Sequence, residues 1–422
     1  MPDRRHFLAS GLALAAGHSL AQLAPRTVGR VVIVGGGWGG LAAAARLRRA
    51  APDLDVTLVE REPLFRSLPL SNAWLVGRAP EVIAPAEHAA IAARSGYRPL
   101  RADATAVDRA QRRVHTTQGA LDYDWLILAA GIRYDYAPWL GDDARAIEAV
   151  RRQYPAAYVS GELDALKRKL TDFKGGELLM TVPPGPARCP PAPYERAVMI
   201  AWWLKTRRIP GRLTLVDAGG GMQRFNRVFA ERYKDQIQHI THATVKAIDP
   251  YAKSLHTEFD EFRFDDAIII PPQAAADIVR QAGLLETDTA GRPGNWAAFD
   301  PLRLHAPGDE RVFLVGDLLG RASPLFGAYP KSAHMAARLG RIAADGILAR
   351  ANGVSPAPTL PESVCFVHTD VEPAEALRIE ASYRQRGDGL IMQTVRQREE
   401  PQPRGEDADW ARGLFADIAK HD

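Results

Sequence analysis

Cysteine is scarce in this sequence, and its scarcity excludes several classes of protein. The 422 residues include only Cys189 and Cys365. Two cysteines are too few for the disulfide framework of a small secreted domain, and alone they cannot form a structural zinc site. No C-x-x-C-H motif occurs, so any haem that serves this protein belongs to another subunit.

Clustered charge and internal repeats are also lacking. The chain has 54 Lys and Arg against 50 Asp and Glu, a formal net charge of +4, and the basic residues are scattered. Nucleic acid is therefore not an expected partner, because its binding needs a clustered basic surface. The length and the 46% hydrophobic content indicate a globular protein of two or three domains.

The N-terminal segment has the features of a targeting signal. It reads MPDRRHFLASGLALAAGHSLAQLAP, with Arg4 and Arg5 before a modest apolar stretch and small residues near position 24. This pattern predicts a twin-arginine export signal and a periplasmic mature protein. A membrane anchor is the alternative, but the stretch contains His18 and is short for a membrane span, so we expect no integral membrane association.

Residues 30–60 have the organisation of a dinucleotide-binding βαβ unit. An apolar strand leads into a G-x-G-x-x-G loop, an alanine-rich helix follows, and a second strand ends in an acid. The glycines permit a tight turn and close approach to a pyrophosphate, and the acid can accept hydrogen bonds from a ribose. A purely structural glycine turn does not explain the acid. The predicted site residues are Gly35, Gly37, Trp38, Gly40 and Glu60.

Two later strand ends indicate that the dinucleotide is FAD. The strand in DYDWLILAAG ends in Ala130 and Gly131, a variant of the A-T-G turn of two-domain flavoprotein reductases. RVFLVGD ends in Gly316 and Asp317, and in such proteins this aspartate takes a hydrogen bond from the flavin ribityl chain or phosphate. Ala104 is predicted to lie near the adenine.

The middle of the chain repeats the strand–helix–strand order of a Rossmann unit without a nicotinamide loop. Between the first strand and the helix it reads P-P-G-P-A-R-C-P-P-A-P, and the second strand ends at Asp217. Proline fixes φ and removes a backbone donor, the opposite of what a phosphate-binding loop requires. NAD(P)H binding is therefore not predicted at this turn, where Cys189 lies instead.

These features resemble those of the flavoprotein subunit of flavocytochrome c sulfide dehydrogenase, a family related to sulfide:quinone oxidoreductases. The resembling segments are VVIVGGGWGG, LSN (70–72), CPPAPYERA (189–197), IIIPPQAA (268–275), VGD (315–317), YPKSAH (329–334) and VCFVHTD…ASYR (364–384). The predicted fold is α/β, with two Rossmann-like dinucleotide-binding-type domains (three-layer, largely parallel sheets) and a C-terminal α+β interface segment.

The predicted domain boundaries follow the same order. They are residues 1–24 for the export signal, 25–150 with 290–350 for a discontinuous FAD-binding domain, 151–289 for the second Rossmann-like domain, and 355–422 for the C-terminal segment that faces the flavin and a partner.

In that family, sulfide attacks a disulfide, and electrons pass to the flavin and then to haem in a separate c-type cytochrome subunit. The resemblance implies that Cys189 is the active-site cysteine and that Glu195 is a general base, although Glu195 also fits a helix N-terminal acid. Arg188 and Arg196 are candidates for stabilising a Cys189 thiolate. Lys331 matches a position near the flavin, where a cation stabilises the reduced form; a solvated surface lysine is the alternative.

Two positions depart from the family pattern. The family commonly links FAD through a cysteine at the position of Leu68, so we expect FAD to be bound non-covalently. Its second redox cysteine follows the Gly-Asp turn, where this chain has Leu319, so Cys189 is predicted to lack a partner. Cys365 matches a different family cysteine and is interpreted as a small buried hydrophobe.

The leading hypothesis is a periplasmic FAD-dependent dehydrogenase that oxidises sulfide or another small sulfur compound. The expected electron acceptor is a c-type cytochrome subunit, which carries the haem. Two alternatives stay open: a dehydrogenase for a non-sulfur substrate on the same scaffold, and a non-catalytic FAD-binding subunit of a cytochrome complex.

Overall fold

The computed structural model describes residues 29–79, 85–159 and 161–419. The predicted export signal at residues 1–24 lies outside the described residues and stays a prediction.

The strands of the described residues are β1 Arg30–Val34, β2 Asp55–Glu60, β3 Leu64–Phe65, β4 Ala86–Glu87, β5 Arg98–Arg101, β6 Ala104–Asp108, β7 Arg113–Thr116, β8 Gly119–Asp122, β9 Trp125–Leu128, β10 Ile132–Tyr134, β11 Gly176–Val182, β12 Gly211–Asp217, β13 Ile237–Ile240, β14 Ala247–Asp249, β15 Ser254–His256, β16 Glu261–Arg263, β17 Asp266–Ile268, β18 Gln273–Ala275, β19 Leu285–Thr287, β20 Pro293–Ala297, β21 His305–Ala306, β22 Asp309–Leu314, β23 Arg321–Ser323, β24 Gly327–Ala328, β25 Glu362–Val371, β26 Ala374–Gln385 and β27 Ile391–Pro401.

The α-helices of the same residues are α1 Trp38–Ala50, α2 Ser71–Leu75, α3 His88–Ser95, α4 Ala137–Leu140, α5 Ala144–Gln153, α6 Glu162–Asp172, α7 Ala192–Arg207, α8 Gln223–Arg232, α9 Asp277–Gln281, α10 Ala333–Ala351 and α11 Glu406–Ala419.

The first large sheet has six strands in the order β21-β22-β9-β1-β2-β5. Apart from the antiparallel β21–β22 pair, its neighbouring strands are parallel. Because β22 pairs with β9, a strand from the last third of the chain completes a sheet that begins at residue 30. The apolar residues of β1 and β9 are buried, as expected of central strands in a parallel sheet covered on both faces.

The second large sheet has four parallel strands in the order β13-β12-β11-β17. The turn from β11 to α7 occupies the same place here as the turn from β1 to α1 in the first sheet. Two parallel-sheet units of this kind confirm the predicted α/β class with Rossmann-like domains.

The C-terminal segment forms an antiparallel sheet, β25-β26-β27, followed by α11. Strand β25 packs against α7 and α10, and α11 packs against α1 and α3. The segment therefore contacts both Rossmann-like units. Within the described residues, no helix combines the length and apolar character needed to cross a membrane.

Candidate active site

In the turn from β1 to α1, the backbone of the glycine loop lies very close to the backbone of the first turn of α1. Gly35 has φ +109°, which an L side chain rarely adopts, and a Cβ on Gly40 would lie 1.9 Å from the Gly35 carbonyl oxygen. Helix α1 begins at Trp38 with no side-chain cap, so the amides of its first turn are directed toward the adjoining cavity. This geometry is that of a pyrophosphate site.

Glu60, at the end of β2, reaches back to this turn. One carboxylate oxygen accepts the Gly36 N–H at 2.6 Å, and the other accepts the Glu62 N–H at 3.0 Å. The carboxylate is thereby held at the mouth of the glycine turn, where a ribose would follow a pyrophosphate.

A cavity of about 270 Å³ runs from the glycine turn to the middle of the molecule. It is lined by the glycine turn, the L-S-N segment, the turn before α7, the turn after β22, the start of α10, and parts of β25 and α11. The predicted site residues that line it are Gly37, Trp38, Glu60, Gly131, Cys189, Glu195, Gly316, Asp317 and Lys331.

Four predicted site residues are not among the described residues that line this cavity. Gly35 and Gly40 form the turn behind its wall, and Ala130 is the neighbour of a lining residue. Ala104 begins β6 and pairs with Thr116 in a separate three-stranded sheet. Ala104 was placed from sequence order alone, and its location near the adenine stays a prediction.

Cys189 is fixed by backbone hydrogen bonds in the turn before α7. Its N–H donates to the Lys331 carbonyl oxygen at 2.8 Å, and its own carbonyl accepts the Ala192 N–H at 2.8 Å. Its φ of +47° is uncommon for a residue with a side chain. The turn thus holds this cysteine in one orientation at the cavity wall.

Cys189 and Cys365, the latter on β25, both line the cavity. The nearby Cys365 side chain raises the pKa of the Cys189 thiol well above its ordinary value, and burial and the charge of Glu195 add to the effect. The Cys365 thiol donates to the Phe366 carbonyl oxygen at 3.7 Å. A second thiol therefore lies in the same site as Cys189, contrary to the sequence-based expectation that Cys189 lacks a partner.

Leu319, the residue that stands at the expected partner position, belongs to the core. Its side chain is 1% exposed, and its carbonyl oxygen accepts the Lys331 ammonium at 2.6 Å. The partner thiol comes instead from the C-terminal sheet. The one sequence signal for it was the position of Cys365 in the resembling segment VCFVHTD.

The two arginines predicted to stabilise a Cys189 thiolate serve other groups. Arg188 donates to an Asp317 carboxylate oxygen at 2.6 Å and also to the Tyr158 carbonyl oxygen. Arg196 is 2% exposed and donates to the Asn72 side-chain oxygen at 3.0 Å and to a backbone carbonyl. Neither arginine is therefore placed to lower the pKa of the Cys189 thiol by pairing with it.

Glu195 lies in the first turn of α7 and lines the cavity with the cysteines. One of its oxygens accepts the Asn72 amide at 2.6 Å; the other accepts the His368 N–H at 2.8 Å and lies 3.2 Å from His368 Nδ1. His368 was not among the site residues predicted from the sequence. The Glu195 carboxylate is thus fixed by three donors beside the cysteine pair.

Asp317 carries an unused acceptor. One of its oxygens binds Arg188, whereas Oδ1 is buried without a hydrogen-bond partner in the described residues. A buried acceptor of this kind is costly unless a ligand donates to it. A ribityl hydroxyl is such a donor.

Lys331 is 3% exposed, so the alternative of a solvated surface lysine is wrong. Its ammonium donates to the carbonyl oxygens of Asp317 (2.8 Å) and Leu319 (2.6 Å) and lies 3.7 Å from the centre of the Trp296 ring. Burial lowers its pKa to about 8. Lys331 therefore orders the Gly-Asp turn from within.

The residues present fit an FAD. The glycine turn, the carboxylate of Glu60 and the unused Asp317 oxygen border one cavity and suit a pyrophosphate, a ribose and a ribityl chain, respectively. Leu68 lines the same cavity and offers no nucleophile for a covalent link.

Comparison with known proteins gives two family matches. Residues 163–271 match the central part of the sulfide dehydrogenase [flavocytochrome c] flavoprotein chain, and residues 29–155 match pyridine nucleotide-disulphide oxidoreductase.

Individual relatives agree with these matches. Sulfide-quinone reductase of Aquifex aeolicus (strain VF5) is 24% identical over 346 residues, 75% of this chain and 76% of that protein. The sulfide dehydrogenase [flavocytochrome c] flavoprotein chain of Chlorobaculum thiosulfatiphilum is 52% identical over 44 residues, 10% of this chain and 92% of that sequence. The crystal structure of the sulfide:quinone oxidoreductase from Aquifex aeolicus has a TM-score of 0.72 at 20% identity, covering 92% of this chain and 91% of the other.

Proposed function

We propose that this chain is an FAD-dependent oxidoreductase that oxidises sulfide or another small sulfur compound, because it is similar to the flavocytochrome c sulfide dehydrogenase flavoprotein chain and to sulfide–quinone reductase. The observation that carries this proposal is the presence of Cys189, Cys365 and Glu195 together in the wall of one cavity.

The cysteine pair and Glu195 perform the sulfur chemistry in this proposal. Glu195 accepts a proton from hydrogen sulfide and leaves a hydrosulfide ion. The hydrosulfide attacks one sulfur of the oxidised pair: a new sulfur–sulfur bond forms, the Cys189–Cys365 disulfide breaks, and the other cysteine leaves as a thiolate. The electron pair of the substrate is then held by the cysteines as a persulfide and a thiolate. FAD, when bound, supplies the acceptor for that electron pair.

In this order of events the substrate sulfur is the attacking group, and a sulfur of the protein disulfide is the electrophile.

We further propose that FAD is bound non-covalently and that a c-type cytochrome subunit accepts the electrons. Leu68 supports the first point, since it lines the cavity without a nucleophilic atom. The similarity to a flavocytochrome c flavoprotein chain supports the second. The Arg4-Arg5 segment supports export to the periplasm.

Rapid-mixing spectroscopy tests the donor and the acceptor separately. We expect about 1 mM sulfide, the upper end of ordinary KM values, to bleach the flavin of the purified protein, and NADH to leave it oxidised. The reduced flavin should then be reoxidised by cytochrome c. If sulfide does not bleach the flavin, the assignment of sulfide as substrate is wrong. If a soluble quinone reoxidises the flavin and cytochrome c does not, the assignment of the cytochrome as acceptor is wrong. Acid precipitation should release the flavin into the supernatant if the link is non-covalent.

A further inference from the structure

Glu195 is a buried acid, and its proposed role as a base requires that its charged form be stabilised. The residue is 8% exposed, and a buried carboxylate needs donors or a charged partner around it. A general base must be charged before the substrate arrives. Something near Glu195 must therefore favour its carboxylate form.

His368, on β25, makes two contacts with one oxygen of Glu195. The backbone N–H of His368 lies 2.8 Å from Oε1, and its ring Nδ1 lies 3.2 Å from the same atom. Two donors from one residue fix both the position and the orientation of the carboxylate.

Asp407, in the first turn of α11, holds the other side of the same ring. Its Oδ2 lies 2.9 Å from His368 Nε2. Both ring nitrogens thus face carboxylate oxygens, and only the doubly protonated imidazolium donates to both. Burial alone lowers the pKa of His368, but the hydrogen bonds to Asp407 and Glu195 outweigh it and raise the pKa to about 10.

Two titratable groups on helices packed against β25 have other partners. From α8, Arg232 binds Asp370 and Glu375. From α10, His334 accepts the Val364 N–H, and burial lowers its pKa to about 4. The electrostatic partners of His368 are Glu195 and Asp407.

We propose that His368, charged and oriented by Asp407, is the positioning residue that keeps Glu195 in its carboxylate form at the cysteine pair. The chain of Asp407, His368 and Glu195 makes the C-terminal helix part of the electrostatics of the active site. The role of Glu195 as a base rests on the proposed function, whereas the charged state of His368 does not.

Three variants separate charge from fold. His368→Asn keeps an amide donor near the position of Nδ1 but removes the positive charge and the contact with Asp407. Asp407→Asn keeps an acceptor for Nε2 but removes the negative charge. Asp409→Asn is the matched control, because it removes an acid from the same helix whose side chain is 77% exposed.

The first measurement is nitrogen NMR of the holoprotein labelled with 15N-histidine. We expect one imidazolium that stays doubly protonated above pH 8, is absent in His368→Asn, and titrates at lower pH in Asp407→Asn. A neutral ring at residue 368 at pH 7 overturns the proposal, whether or not sulfide is a substrate.

The second measurement is the pH dependence of flavin reduction by sulfide. The acid limb of the profile should move upward by about 1 to 3 pH units in His368→Asn, the usual effect of one adjacent charge on a carboxyl group. It should move in the same direction in Asp407→Asn and stay in place in Asp409→Asn. An unmoved limb in active, folded His368→Asn and Asp407→Asn proteins overturns the role of His368. If sulfide does not reduce the wild type, the proposed function fails, and the NMR result alone decides the state of His368.

Discussion

The turns from β1 to α1 and from β11 to α7 occupy equivalent places in two parallel sheets, yet their chemistry differs. The first turn contains closely packed glycines and, through Glu60, an acid that faces the cavity. The second contains prolines and Cys189, and the acid at the end of its second strand, Asp217, is 1% exposed. One topology thus carries a glycine turn with an acid that lines the cavity in one place and a proline-rich turn with a cysteine in the other.

The acids at the ends of the two second strands, Glu60 and Asp217, differ in their hydrogen-bond partners. Glu60 accepts two backbone N–H groups at the cavity wall. Asp217 is surrounded by protein donors: the Tyr194 hydroxyl at 2.8 Å, the Gly219 N–H at 2.8 Å and His239 Nε2 at 3.0 Å. A ribose has no access to a carboxylate whose lone pairs are occupied in this way. In the second unit the acid at the end of the second strand therefore serves internal hydrogen bonds.

The largest expected effect comes from removing a sulfur of the second turn. Cys189→Ser and Cys365→Ser should each lower the rate of flavin reduction by sulfide at least about 1,000-fold, and the double variant should lose no more, because the two residues act as a unit. Stopped-flow absorbance measures this, with chemical reduction by dithionite as the control for an intact flavin. Unchanged turnover in Cys365→Ser would mean that the pair has no joint role.

A smaller but clear effect is expected from the glycines. Gly40→Ala places a Cβ against a backbone oxygen, whereas Gly185→Ala in the second turn meets nothing within 4 Å. Bound FAD per protein should fall at least about tenfold in Gly40→Ala, a loss of about 1.4 kcal/mol in binding, and should be unchanged in Gly185→Ala. The flavin-to-protein absorbance ratio of purified protein is the measurement. Equal flavin content in the two variants would contradict the distinction between the turns.

The last comparison separates the two acids. Glu60→Gln should weaken FAD binding about threefold with little change in stability, and Asp217→Asn should lower the free energy of unfolding by about 1 kcal/mol while flavin content is kept. Burial opposes the charge of Asp217, but the hydrogen bonds from His239, Gly219 and Tyr194 prevail and hold its pKa below the ordinary value of an aspartate.

The sign of the pH effect follows from that lowered pKa. Because the folded protein binds the Asp217 proton less readily than the unfolded chain, the stabilisation is complete above about pH 4 and is lost as the pH falls through the folded pKa. Denaturant titrations at several pH values should show the wild type and Asp217→Asn converging in acid. Curves that stay a constant distance apart would show that the ionised form of Asp217 contributes nothing.

The sequence was sufficient for the first turn because all its determinants are local. Strand, glycines, helix and Glu60 lie within one stretch of 31 residues, residues 30–60, and each has a fixed role in the turn. The α/β class followed from the same periodicity. The placement of Cys365 in the same site as Cys189 was missed because Cys365 comes from β25, which packs against α7, and packing between such distant segments leaves no local signal.

The expectation for Leu319 failed for a different reason. The sequence places a residue after the Gly-Asp turn but does not show which of its atoms faces the site. In the structure, its backbone oxygen binds Lys331 and its side chain enters the core. The contacts among Glu195, His368 and Asp407 were also not predicted from the sequence, because three distant segments supply one residue each.

The position of Cys365 means that the residues of the proposed chemistry come from separate lengths of chain. A proteolytic fragment that ends before β25 would keep the glycine turn, Glu60, Asp317 and Cys189, and would lack Cys365, His368 and Asp407. If such a fragment folds and keeps its flavin, the proposed function predicts that it does not react with sulfide. Flavin colour alone is therefore no measure of an intact chain in a preparation, and the mass of the C-terminal peptide is the quality test to use.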